Sequence, residues 1–128
     1  MRRLKNKIKK NFKEILVEMA GIEPASKKGE SRASTCVGIK KYIGQYAAAM
    51  GGVDVILFTG GAGENQWEVR EGATKGLEFM GVKVDPEKNH AIRATEAIIS
   101  SPDSKVTVCV IPTDEELMIA LDTMALVG

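Results

Sequence analysis

At 128 residues the chain has the length of one domain. Its 44% hydrophobic and 27% charged residues sit near the globular average, which excludes a collagenous or wholly disordered chain. No apolar run is long enough to carry a helix across a bilayer, and a net charge of +1 excludes a chain-wide basic surface for nucleic acid.

That sum conceals two opposed parts. Residues 1–41 hold 12 Lys and Arg against 4 Asp and Glu, whereas residues 42–128 hold 6 against 13. The asymmetry suggests a basic arm attached to an acidic module, or two parts of different history. Cys36 and Cys109 form no CxxC pair, which argues against a zinc site and a disulfide framework. Cys36 lies in a polar stretch and reads as a linker thiol. Cys109 lies in an apolar run and reads as a buried one.

In chain order, Leu4, Ile8, Phe12, Ile15, Leu16 and Met19 fit one helical stripe with a strongly basic opposite face. This predicts a basic N-terminal helix over 2–19, either a solvated leader or a segment for an acidic surface. Residues 20–36 have no hydrophobic period and predict a flexible linker. Val37 to Met50 predicts a helix, with Ile39, Tyr42, Ile43, Tyr46 and Ala47 on one face and Gly51-Gly52 as its stop. Val53 to Thr59 is short, apolar and β-branched or aromatic, the signature of a buried central strand. A loop over Gly60–Gly63 follows, then a helix from Gln66 to Met80 ended by Gly81.

Short strands are expected at Val82–Val84 and Ala97–Ser100, with a polar turn over Asp85–Asn89 between them. Val106–Ile111 predicts another strand, and Asp114 to about Leu126 a last helix. The order is that of an α/β unit with a mixed sheet flanked by helices. So apolar a strand as 53–59, with so few strands around it, points to part of a domain.

Two segments could carry chemistry. Gly60-Gly61-Ala62-Gly63-Glu64-Asn65 joins a buried strand to a helix, where open α/β sheets bind ligands. Glycines there admit positive φ and close approach of backbone to a ligand, and amides opening a helix attract phosphate. The plainer account is a tight turn, with Asn65 and Glu68 as a capping box. Thr113-Asp114-Glu115-Glu116 also follows a strand. Thr113 and Glu116 have capping-box spacing, which leaves Asp114 and Glu115 for Mg²⁺. His90 reads as a solvated turn histidine. Trp67 reads as a packing residue or an adenine platform, and Arg70 as a surface partner of Glu68 or Glu71, or a phosphate contact.

Taken together, Lys40-Lys41-Tyr42-Ile43-Gly44, Tyr46 to Asp54, Phe58-Thr59-Gly60-Gly61-Ala62-Gly63-Glu64-Asn65, Val69-Arg70-Glu71, Gly76 to Phe79, Ala97 to Ser100 and Val110 to Ala120 resemble the acetate kinase family. The motifs follow in order over residues 37–128 and correspond to the last quarter of such an enzyme. The resemblance implies a partial ribonuclease H-like domain of the sugar kinase, Hsc70 and actin superfamily. It implies Mg²⁺-dependent phosphoryl transfer between ATP and acetate, giving ADP and acetyl phosphate, in a cytoplasmic homodimer. It also implies that Gly61, Ala62, Gly63, Glu64 and Asn65 contact the adenosine part of the nucleotide and that Glu115 helps hold magnesium.

The family's catalytic residues fall outside the match, so none is expected here and the chain alone is expected to be inactive. Residues 1–36 resemble nothing in the family and suggest unrelated fused sequence. The chain also departs from the pattern locally. Asp114 stands where Asn is frequent, Leu121 where Arg is usual, and Gln66-Trp67 where Ser-Pro is common. Two other readings stay open: a butyrate kinase-like acyl kinase, and a non-catalytic module binding acidic surfaces through residues 2–19.

Overall fold

The computed structural model describes residues 13–18 and 30–112. Four strands form one sheet: β1 (Glu14–Glu18), β2 (Val55–Thr59), β3 (Ala97–Ile98) and β4 (Thr107–Val110). Their order is β1-β2-β4-β3, with β1, β2 and β4 parallel and β3 antiparallel to β4. The helices are α1 (Glu30–Met50), α2 (Gly61–Asn65), α3 (Trp67–Thr74) and α4 (Pro86–Ala91), with a 3₁₀ turn at Glu78–Met80. The expected α/β unit with a mixed sheet is therefore present. β2 is central, as its apolar sequence requires, and Val55 to Phe58 are all buried.

One sheet face carries the main core. Ile15, Val17, Ile56, Phe58, Val108 and Val110 pack there with Ile39, Ile43 and Ala47 of α1 and Val69 and Ala73 of α3. Spacing of three to four residues brings these helix positions onto one stripe. Tyr42 and Tyr46, expected on that stripe, lie on its flank at 40% and 47% exposure with ring centroids 4.6 Å apart. α1 stops where expected. Gly51, at φ 74°, follows the helix while its N–H reaches Ala48 O and the Gly52 N–H reaches Ala47 O, a Schellman closure. The opposite face carries Val55, Leu57, Cys109 and Ile111.

Two N-terminal expectations are corrected. Residues 14–18 form a strand, not part of a basic helix. Ile15 and Val17 alternate inward at 3% and 4% exposure while Leu16 faces out at 45%. Pairing with β2 satisfies the backbone and buries two β-branched side chains, which a lone helix here could not do. The strand is anchored at its start, where Lys13 O accepts from Asp54 N at 2.8 Å and Lys13 N donates to Asp54 Oδ2 at 3.0 Å.

Nor is the expected linker irregular to residue 36, because α1 begins at Glu30. The Cys36 thiol reaches Val69 O at 3.8 Å, so this turn is ordered by packing on α3 and Cys36 is not a linker thiol. β1 and the start of α1 thus belong to the same packed unit as the residues after 37. The rest of 1–12 and 19–29 lies outside the described residues, as do Thr113 to Glu116, Leu121 and the expected last helix.

The expected helix over 66–80 is broken. Lys75 is extended and Gly76 takes φ 94°, so α3 stops at Thr74 and a 3₁₀ turn closes at Gly81, φ 88°. Gly81 is the expected stop, and a Cβ there would lie 2.8 Å from Lys105 Cβ. The expected turn at 85–89 is instead the start of α4. Asp85 Oδ1 accepts from the Glu87 and Lys88 N–H groups, and Pro86 occupies the first turn. Val82 and Val84 make only isolated bridges, to Val106 and Ser100.

Candidate functional site

The glycine segment opens directly at the carboxyl end of β2. Gly60 takes φ 72° with ψ 147°, a combination open essentially only to glycine, and Gly61 takes φ 30°. These two residues turn the chain from an extended strand into α2, so the expected loop is a single short helical turn. Ala62, Gly63 and Glu64 are buried, whereas Gly61 and Asn65 are exposed. The structure therefore groups Gly61 to Asn65 at one strand end and turns only part of the group outward.

Asn65 does not cap α3. Its Nδ2 donates back to Gly61 O at 2.9 Å, and the N-cap position of α3 is Gln66, which makes no side-chain cap. The expected capping box between Asn65 and Glu68 is absent because Gln66 is extended and separates the two helices.

Arg70 departs furthest from expectation. It is neither a surface partner of a glutamate nor an exposed phosphate contact, since it is fully buried at 0% exposure. Among the described residues its guanidinium directs its hydrogen bonds to carbonyl oxygens. Nε donates to Asn89 Oδ1 at 2.7 Å, and Nη1 to Gly63 O and Glu64 O at 3.0 and 3.1 Å. Nη2 donates to Asn89 O and Ile92 O at 2.9 and 2.7 Å. Burial lowers its pKa, and the charge of Glu68 works against that shift. Asn89, also 0% exposed, donates from Nδ2 to Trp67 O at 3.0 Å.

Neither role was marked in the sequence as functional. Arg70 falls beside the Val69–Ala73 stripe, where a long cation is ordinarily solvated. The Asp85-Pro86 start of α4 was a usable helix signal that would have drawn Asn89 out of a turn.

Trp67 packs against His90, with ring centroids 3.8 Å apart, and His90 Nε2 lies 3.7 Å from Glu71 Oε2. His90 is thus exposed on a helix and stacked, not free in a turn. A cleft of about 590 Å³ flanks α3, lined by Trp67, Glu68, Glu71, Lys75, Glu78 and Pro86 among others, with no contribution from Gly61–Asn65. Among the described residues no group of three His, Cys, Asp or Glu could hold a metal ion. Glu115, the expected magnesium ligand, lies outside them.

A profile described as the acetokinase family matches residues 12–121. The match begins within the N-terminal segment that had no expected kinship and takes in β1. Acetate kinase of Bacteroides fragilis is 60% identical over 114 residues, covering 85% of this chain and 28% of that protein. The crystal structure of Porphyromonas gingivalis acetate kinase superimposes with a TM-score of 0.66 at 57% identity, over 73% of this chain and 23% of that one. A propionate kinase from Francisella tularensis gives a TM-score of 0.55 at 35% identity, over 64% and 20% of the respective chains. The chain thus spans about a quarter of the length of the relatives it matches.

Proposed function

Since the chain belongs to the acetokinase family, we propose that it supplies the nucleotide side of a Mg²⁺-dependent phosphotransferase acting between ATP and a short carboxylate, with acetate as substrate and acetyl phosphate as product. In this reading Gly61 to Asn65 meet the adenosine part of ATP or ADP. The observation that supports it best is the glycine turn at the carboxyl end of β2, in a conformation that admits no side chain at Gly60. Open α/β sheets bind ligands at such strand ends, and a backbone without Cβ atoms lets a flat heterocycle approach closely. Magnesium, held by Glu115 in this reading, would neutralise charge on the transferring phosphoryl group.

The unit is read as part of a ribonuclease H-like domain of a cytoplasmic homodimer. Among the described residues no helix is long and apolar enough to cross a membrane. The acetate reading is supported by the acetate kinases of Bacteroides fragilis and Porphyromonas gingivalis, matched at 60% and 57% identity.

Trp67 opens α3 two positions beyond Asn65, so its emission senses a change in how α3 meets the glycine turn. Titrating the 128-residue chain with ATP and Mg²⁺ is expected to give a saturable change in Trp67 fluorescence at millimolar nucleotide. No change over that range would remove the nucleotide reading.

A further inference from the structure

We propose that Arg70 and Asn89 are positioning residues for the nucleotide loop: together they hold Gly63 and Glu64 in place from the core side of the turn. The inference rests on the nucleotide reading above for its purpose, while the brace itself stands on geometry.

α2 has only five residues, too few to hold a helical turn on its own hydrogen bonds. Its stability must come from outside. Arg70 Nη1 binds Gly63 O and Glu64 O, and the Ala94 N–H binds Glu64 O at 2.9 Å. The end of the turn is thereby tied inward by a cation and by the chain after α4.

The same guanidinium reaches across to Asn89 and Ile92 through Nε and Nη2, so α3, α4 and the loop converge on one planar group. Asn89 completes the frame, accepting from Arg70 with its side-chain oxygen and giving its amide hydrogens to Trp67 O at the first residue of α3. A buried guanidinium is costly unless its donors are satisfied. Here four of its hydrogen bonds go to backbone carbonyls, two of them on the loop, and the fifth goes to the Asn89 side chain.

The geometry, more than the charge, is what matters in this arrangement. Lysine would keep the charge but cannot present a planar fork to carbonyls of both the loop and the end of α4. In Arg70→Lys and Asn89→Ala, amide hydrogen exchange over Gly63 to Gln66 is expected to rise about tenfold more than exchange in β2, the scale of one lost charge-assisted hydrogen bond. Val108→Ala, which weakens the sheet without touching the loop, should raise both to the same extent. ATP affinity should fall by a similar factor in the two brace variants and stay level in Val108→Ala.

Loop exchange that tracks β2 in both brace variants would overturn the proposal. So would unchanged ATP affinity in variants whose unmodified parent binds ATP. If the parent binds no ATP, the nucleotide reading fails and the exchange comparison still decides the brace. Should both variants fail to fold, the unmodified chain decides: its Arg70 Nε–H and Nη–H signals should be separately resolved and slow to exchange with water. A single averaged, fast-exchanging guanidinium signal would overturn the brace.

Discussion

At Arg70, side-chain chemistry and burial pull in opposite directions, and five oxygens reconcile them. The donors find oxygens of Asn89, Gly63, Glu64 and Ile92, so the cation pays for its desolvation in hydrogen bonds. Cys109 resolves the same conflict by staying neutral. Burial, followed by the charges of Glu14 and Glu96, pushes its thiol up from 9.0 to about 12. Its stabilising effect is therefore complete below pH 9 and lost as the pH rises from there to about 12. A denaturant series across that window should show stability falling by on the order of a few kcal/mol from this group, a slope that Cys109→Ala removes. At pH near neutral, thiol reagents should modify Cys36 well before Cys109, which reacts only on unfolding.

At the scale of elements, glycine conformation accounts for most of the boundaries. Gly51 ends α1, Gly60 and Gly61 make the turn out of β2, Gly76 splits what looked like one helix, and Gly81 closes the piece beyond it. Gly72 acts differently, through space alone. A Cβ added there would lie 2.6 Å from Cys36 Sγ and 3.2 Å from Cys36 Cβ, so α1 and α3 approach as closely as they do because that Cβ is missing. Gly72→Ala should cost about 1–3 kcal/mol by overpacking. Cys36→Ala should recover part of that cost, and a double-mutant cycle in urea measures the coupling. An additive cycle would mean that the two helices do not meet at this point. The glycine boundaries could be anticipated from local chemistry. The contact at Gly72 could not, since it depends on a residue that the composition of 20–36 had assigned to a linker.

For the molecule as a whole, the net charge of +1 describes neither half, and the charge boundary near residue 41 falls inside α1 rather than between two structural parts. β1 crosses over through α1 to the parallel β2, joining residues on both sides of that boundary in one core. The chain spans about a quarter of its relatives' length. Phosphoryl transfer requires groups placed around the phosphate from several sides, and such groups act as a unit. The purified chain with ATP, Mg²⁺ and acetate is therefore expected to give no acetyl phosphate above the uncatalysed background in a hydroxamate assay. Sustained turnover would refute that expectation.

Wherever local chemistry sufficed, the residues declared their structure. The apolar residues Val55 to Phe58 could only be buried, and the glycines after them could only mark a turn at a strand end. The order of those motifs was enough to indicate the family. What local chemistry left open was settled by contacts between distant segments. Glu14–Glu18 carries apolar residues compatible with a helical stripe or a strand, and only the free edge of β2 selects the strand. Arg70 is soluble by every local criterion and becomes a core residue because Asn89 and Ile92, 19 and 22 positions away, bring oxygens to it. Propensity registers neighbours in sequence, whereas the desolvation of a charge is decided by neighbours in space.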